Sequence, residues 1–411
     1  MVDLTGDVDQ PRFREALGVR AYNERLILDE IRRRGPLSKA EIARGTGLSA
    51  QAASVIVNAL IDDGMLLKQG KVRGNVGQPF TPMALNPTGA FAIGVNLGRR
   101  SLEATLIDFS GTPIRKARLS YAFPQPDEVL TEIKTWTRDW LSEIEPDHRG
   151  RIVGLGMAAP RDLDGWPEEV RVARQDLLGW RDLNLSAWVE KATGLQVTLV
   201  NDATAACAAE IQKNQLLKGR CAIYFYVGAF VGGGVVLDGK LVEGVQRNAG
   251  AVGSMIVPGA GAKSGQLLGQ ASLITLEQAL TERGLAERAS LALASPGNHD
   301  SAGEAAWAQW LRTAAPALAV AVSNASAVID FEMAVIDGSL HPRRRSELVE
   351  ATAIAFESLD RTGLSPMTIE EGSVGDGARS LGAAILPMQA AFNPDARMIA
   401  PVPAQRDTSG V

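Results

Sequence analysis

The pair Asn201-Asp202 closes the apolar run "QVTLV" and opens "ATAACAAE", so an amide and a carboxylate stand where a strand gives way to a helix. Such a carboxylate can take a proton from a substrate hydroxyl as a general base, or it can hold a bound molecule by hydrogen bonds alone. Asn-Asp ahead of small residues is also a good helix start, because a short side-chain oxygen satisfies the first free backbone N–H groups. Capping accounts for the pair without a substrate, so ligand hydrogen bonding is expected here and proton transfer is not.

A second stretch, Asn248 to Gly269, reads "NAGAVGSMIVPGAGAKSGQLLG". Its Gly, Ala and Ser suit close approach of backbone to a small ligand, yet it holds no Glu, Asp, His or Cys. It can wall an active site, line a pocket that does no chemistry, or simply connect two elements.

A third group lies in "NERLILDEIRRRGPLSKAEIARGTGLSAQAASVIVNALIDDGMLLKQG", which starts at Asn23. Leu26, Ile27, Glu30 and Ile31 recur at helical spacing, and Arg32 to Arg34 followed by Gly35-Pro36 supply a cationic last turn and a stop. Ser38-Lys39-Ala40-Glu41 is a capping box that starts a second helix at Ser38, which ends at Gly45-Thr46-Gly47. Leu48 plugs the turn and Ser49 caps a third helix. There Val55, Ile56 and Leu60 are expected inward, with Ala50, Gln51, Ala52 and Ser54 toward the exposed start.

Two short helices joined by a Gly turn fit a helix-turn-helix whose second helix enters the major groove of DNA. Gln51 can pair bidentately with adenine, while Ser49 and Ser54 can reach phosphates or base edges; Ser38 and Ala50 complete the expected DNA-facing set. The following "MLLKQGKVRGNVGQPFTPMAL" reads as two strands around a basic, Gly-rich tip, a wing in which Lys71 and Arg73 face phosphates or the minor groove. A plain bundle of capped helices is the alternative.

The totals agree with a regulator inside a cell. The 411 residues are 45% hydrophobic, enough for two or three domains with real cores. Cys207 and Cys221 lie in apolar surroundings, which rules out a disulfide framework and favours core roles. No apolar run reaches the roughly 20 residues of a membrane span, and the acidic start "MVDLTGDVDQ" is no signal peptide; a cytoplasmic protein is expected. The net charge of −5 hides an asymmetry: residues 11–85 carry twelve Lys and Arg against seven Asp and Glu. That local excess suggests an anionic partner.

After Asn86-Pro87-Thr88-Gly89 the pattern changes. "FAIGVNLG", "LEATLIDFSGTPI", "IVGLGMAAP", "QVTLVNDATAACAAE" and "AIYFYVGAFVGGGVVLDGKL" alternate apolar strands with turns and helical stretches, an α/β pattern. The strands near 93–111 and 223–239 close on Asp108-Phe109-Ser110-Gly111 and on Asp238-Gly239, which hints at internal duplication.

From about Asn23 to Met388 the sequence resembles the ROK family of bacterial sugar kinases and sugar-responsive repressors. "GPLSKAEIARGTGLS", "VNDATAACAAE" and "VGGGVVLDGKLVEG", in that order, look like the repressor branch. The resemblance implies a two-lobed, actin-like ATPase fold of the ribonuclease H type, with a sugar between the lobes. It does not carry the kinase chemistry over. Where the family's first phosphate loop has an acid and then Gly-Gly-Thr, this chain has Asn96 and then Arg99-Arg100; where the second has Gly-Thr-Gly it has Gly228-Ala229-Phe230. Asp337 stands where the family often has Gly. The Asp of Asn201-Asp202 matches the kinases' general base. The family's Gly-Glu-Ile-Gly-His, whose Glu and His contact sugar and whose His joins a cysteine cluster on zinc, matches Gly250-Ala251-Val252-Gly253-Ser254. Thr275 takes the place of a later sugar-contacting acid. Zinc needs about four N, S or O ligands, so no metal is expected. The wing's usual Gly-Arg-Pro is Gly77-Gln78-Pro79.

The expected chain is therefore a winged helix-turn-helix over 11–85, a first lobe over 90–200 and a second over 201–390 whose last helix returns to the first. It is expected to have no catalytic residue, metal or cofactor. Asn201, Asp202, Ala251 and Ser254 are the ligand-side candidates. A double-stranded DNA operator, a sugar or sugar derivative, and a second copy in a homodimer or homotetramer are the expected partners, with no membrane. A sugar kinase with an appended DNA-binding domain, or a scaffold for another protein, are the rivals.

Overall fold

The computed structural model describes residues 11–71, 80–160, 179–180, 183–258, 264–285 and 301–395. Helices α1 (Pro11–Arg34), α2 (Lys39–Thr46) and α3 (Ala50–Asp62) form the N-terminal unit with the strands β1 (Leu66–Lys68) and β2 (Met83–Leu85), paired antiparallel with Leu67 opposite Ala84. Its helix ends follow local chemistry. The Ser38 capping box is closed from both sides, and Gly47 ends α2 at φ +72, a left-handed conformation that glycine adopts without strain. Ile27, Leu28, Ile31, Ile42, Ala53, Val57, Leu60 and Leu66 bury the seam between the helices. Glu30, only 4% exposed, is held by Arg33 and Arg34. Gly45 makes room for it, since a Cβ there would sit 2.0 Å from the Glu30 Oε1 atom.

Val55 does not face inward as expected but is 63% exposed. The buried set on α3 is Ala53, Ile56, Val57 and Leu60, spaced as one helical face; Val55 lies outside that stripe.

Two five-stranded sheets follow. The first runs β5-β4-β3-β6-β7 and the second β10-β9-β8-β13-β14. The first contains β3 (Phe91–Leu97), β4 (Ser101–Asp108), β5 (Pro113–Ser120), β6 (Ile152–Ala159) and β7 (Val197–Asn201). The second contains β8 (Ala222–Val227), β9 (Val231–Leu237), β10 (Lys240–Val242), β13 (Met333–Gly338) and β14 (Thr368–Glu371). In each, an antiparallel meander of three strands is extended by two strands parallel to the first of them. The repeated Asp-Gly turns therefore mark a duplicated lobe. Between β10 and β13, a small ladder of β11 (Ile256–Pro258) and β12 (Ser264–Gln266) precedes the four-residue α7 (Leu268–Ala271), α8 (Leu273–Glu282) and α9 (Ser301–Ser326).

Helices α4 (Pro126–Glu143) and α5 (Leu185–Thr193) cover the first sheet, and α10 (Pro342–Glu357) the second, against α9. Two helices join the lobes: α6 (Asp202–Lys213) packs on β8 and β9, and α11 (Ala378–Phe392) on β3, β4 and β6. They touch each other along small residues. A Cβ on Gly382 would lie 1.6 Å from the Ala205 carbonyl oxygen, so only glycine permits this crossing. Among the described residues no helix is long and apolar enough to cross a membrane.

Candidate functional site

On α3, Gln51 is exposed, as is Ala50 before it. The Ser49 hydroxyl accepts from the Ala52 N–H at 3.2 Å and so caps the helix; the Ser38 hydroxyl is likewise engaged with Glu41. Ser54 is half-buried, with its hydroxyl accepting from Lys39 Nζ at 3.2 Å, and the same ammonium donates to Asn58 Oδ1 at 2.6 Å. That leaves Gln51 and Val55, one helical turn apart, as the outward pair. Lys71 is exposed beyond β1. Arg73 and Gly77-Gln78-Pro79 lie outside the described residues.

The unit is fastened to both lobes. Arg32 donates to Asn393 Oδ1 at 3.1 Å and stacks 5.4 Å from the Phe109 ring centroid. Arg151 reaches the carbonyls of Gly64 and Thr88 at 3.2 and 3.3 Å. From the second lobe, Lys218 Nζ donates to the Arg33 carbonyl at the end of α1.

At the junction of the lobes, Asn201 takes the capping role: its Oδ1 accepts from the N–H groups of Ala203 and Thr204. Asp202 Oδ1 accepts from Ala203 N–H, and its Oδ2 faces Arg379 Nη1 at 3.7 Å. Arg379 lies over the Tyr226 ring, 5.3 Å from its centroid. Burial opposes its charge, but Tyr226, Glu103, Asp202 and Asp376 together hold its pKa above that of an ordinary arginine.

A cleft of about 530 Å³ opens beside this point, with Asn201, Thr204, Glu243, Gln246, Arg247 and Asn248 among its lining residues. Asp202, Ala251 and Ser254 do not line it; Ala251 and Ser254 are exposed at the two ends of a 3-10 turn whose Val252 and Gly253 are buried. Arg247 holds φ at +52, a left-handed conformation that costs a non-glycine residue and is often found where a ligand binds.

The two turns that the resemblance aligned with phosphate loops are both held against the protein's own α8. In the second, the carbonyls of Gly228 and Ala229 accept from the first N–H groups of α8, Leu273 and Ile274, and the N–H of Val231 donates to Ser272 Oγ. In the first, Arg99 and Arg100 both pair with Glu277 Oε2 on the same helix, Arg100 at 3.0 Å. Helix α8 thus bridges the two lobes. Asp337, fully buried, accepts from Tyr224 Oη at 3.1 Å, Gly375 N–H at 3.0 Å and Arg345 Nη1 at 2.9 Å. Among the described residues, no three His, Cys, Asp or Glu side chains gather to hold a metal. Thr275 accepts from Trp310 Nε1 at 3.0 Å and donates to the Ser272 carbonyl.

Of the residues now gathered here, local sequence pattern singled out Asn248 but not Glu277, Arg379 or the Gln246-Arg247 pair before it. Arg99-Arg100 signalled that the first loop was altered, but their partner is 178 positions away.

Residues 20–66 match a model described as winged helix-turn-helix DNA-binding. A xylose repressor from Bacillus spizizenii is 22% identical over 239 residues, 58% of this chain and 61% of the relative, so the match spans less than two thirds of that repressor. A crystal structure of a ROK family transcriptional regulator, a homologue of the Escherichia coli MLC protein, aligns with a TM-score of 0.65 at 19% identity, covering 91% of this chain and 97% of that one. A ROK family glucokinase from Streptomyces griseus, in complex with glucose and AMPPNP, aligns with a TM-score of 0.55 at 20% identity, covering 72% of this chain and 99% of that one. Both likenesses place the fold, and the ROK family model matches residues 92–390, so this chain is a member of the ROK family.

Proposed function

We propose that the chain is a DNA-binding transcriptional regulator, acting as a repressor of carbohydrate-related genes, whose two-lobed domain binds a sugar or sugar derivative without phosphorylating it. The observation that carries this reading is the fastening of the winged unit to both lobes at once, through Arg32 and Arg151 on one side and Lys218 on the other. A ligand that changes the relation of the lobes then changes how the DNA-reading helix is presented.

Gln51 reads adenine in the major groove, and the exposed Val55 adds the apolar contact that a thymine methyl takes. Lys71 and Arg73 meet phosphates or the minor groove. Asn201, with the strained Arg247 turn, forms the polar side of the effector cleft, Asp202 stands at its edge, and Ala251 and Ser254 follow on the adjoining turn. Kinase chemistry is not expected, because the carbonyls of the second turn are tied to α8, the Val231 N–H that follows it is tied to Ser272, and the Arg99 and Arg100 guanidinium groups of the first turn are tied to Glu277. The protein works in the cytoplasm on a double-stranded operator, as a homodimer or homotetramer that reads half-sites about one helical turn apart.

The test is selection of bound sequences from a random duplex library with the purified full chain, followed by titration of wild type and Gln51→Ala. Enrichment of a repeated half-site, with about 1–3 kcal/mol of discrimination at one base pair lost in Gln51→Ala, supports the reading. Equal binding of both proteins to selected and random DNA overturns it.

A further inference from the structure

We propose that Arg99 and Arg100 form an oxyanion site where the turn between β3 and β4 meets α8, apart from the cleft of about 530 Å³, with Glu277 as its resident counter-charge, taking a small molecule that bears a phosphate monoester or a carboxylate. The inference rests on the effector-domain reading above and names the chemistry of the effector.

The turn between β3 and β4 presents two adjacent guanidinium groups, and both converge on one carboxylate oxygen, Glu277 Oε2. One negative charge is shared by two positive ones. The Arg99 side chain is 9% exposed, and its Nε makes no hydrogen bond among the described residues. Three residues earlier Asn96 is fully buried, and neither Nδ2 nor Oδ1 has a partner there. Gly98 stands between them, and a Cβ on it would lie 3.5 Å from Asn96 Nδ2. The turn therefore keeps two buried donors, Arg99 Nε–H and the Asn96 amide, unspent beside a net positive charge. Buried donors are almost always paired in native proteins, and a fork of guanidinium donors matches the oxygens of phosphate and carboxylate groups. Burial pushes the Arg99 pKa down against the pull of Glu277, and Arg100 pushes it further down; a second anion would relieve that.

Glu277 already does in part what the ligand would do better. It belongs to α8, whose first N–H groups are bound to the Gly228–Ala229 turn of the second lobe. An incoming oxyanion that takes the place of Glu277 Oε2 unties the first lobe from that helix, so occupancy of the site is coupled to the relation between the lobes. A nucleotide polyphosphate is a poorer fit, since the second turn is held against α8 by its carbonyls and the Val231 N–H beside it is taken by Ser272.

The test is titration calorimetry of the full chain at constant ionic strength with inorganic phosphate, glucose 6-phosphate, glucuronate and glucose, on wild type, Glu277→Gln and Arg100→Gln. Arg100 is half-exposed, so its replacement leaves the fold intact. The expected result is oxyanion binding by wild type, about tenfold tighter in Glu277→Gln and about tenfold weaker in Arg100→Gln, the size of one charge-assisted hydrogen bond. Glucose 6-phosphate binding above glucuronate assigns a phosphate monoester, and the reverse order a carboxylate. Absence of oxyanion binding in both wild type and Glu277→Gln overturns the inference, as does binding indifferent to Arg100. If glucose alone binds, equally in all three proteins, the inference fails and the regulator reading stands; failure to select DNA strikes that reading instead.

Discussion

On α3 the groups proposed to meet DNA are left outward and unspent, Gln51 and the 63% exposed Val55 above all. In the two lobes the charged groups are turned on one another: Arg99 and Arg100 on Glu277, Arg379 on Asp202, and, within the second lobe, Arg345 on Asp337 and Glu371. The difference follows from what each region has to do. A helix that reads bases must be ready before DNA arrives, whereas lobes that respond to a ligand need contacts of their own which the ligand can replace.

The comparison breaks most visibly if the buried pairs of the lobes prove dispensable. Arg345→Met leaves the Asp337 carboxylate, 0% exposed, without its guanidinium, and is expected to cost about 3–5 kcal/mol. Arg20→Ala removes an exposed pair with Glu24 on α1 and is expected to cost less than about 1 kcal/mol. Urea unfolding of the two variants measures the contrast, and similar losses would show that the lobes are no more self-held than the surface.

Next in size is the DNA side. Val55→Ser is expected to weaken the preference at a single thymine by about 1 kcal/mol, at the low end of base-edge contacts. Lys71→Ala is expected instead to weaken all sequences alike and to lower the salt slope by about 1. Titrations at several salt concentrations separate them; a uniform loss in Val55→Ser would move it from reading to packing.

Effects no larger than these belong to the caps. Ser38→Ala is expected to cost about 1 kcal/mol. Hydrogen bonds from the Ser38 hydroxyl and N–H hold the Glu41 carboxyl below its ordinary range. A carboxylate pKa depressed by folding adds stability above its ordinary value, and that stability is lost as pH falls through the depressed one. Glu41→Gln should therefore flatten the acid limb of the unfolding curve; an unchanged limb would place the pH dependence elsewhere.

These regions also differ in how far their sequence betrays them. Ser38, Glu41, Gly47 and Ser49 act within four residues of themselves, so the helix ends of the winged unit can be read from spacing. Even there α1 begins at Pro11, twelve positions before the first residue with clear periodicity, Asn23. Val55 misled because a β-branched apolar residue is ordinarily core. In the lobes, the duplicated Asp-Gly turns announced two like sheets. The short edge strand β14, "TIEE", carries no strand signal, because its neighbour β13 supplies what its composition lacks. Glu277 and Arg379 reach their partners only after folding, and no local rule connects them.

The most direct test of the account is operator binding by fluorescence anisotropy, for wild type and Asp202→Ala, across a panel of pentoses, hexoses and hexose 6-phosphates, with ATP consumption followed in parallel. The expected result is that at least one compound shifts wild-type affinity, and that Asp202→Ala keeps its DNA affinity within a few-fold but no longer responds. No ATP should be consumed by either protein. An unchanged response in Asp202→Ala, or sugar-dependent ATP consumption by wild type, would contradict a cleft that senses without catalysing.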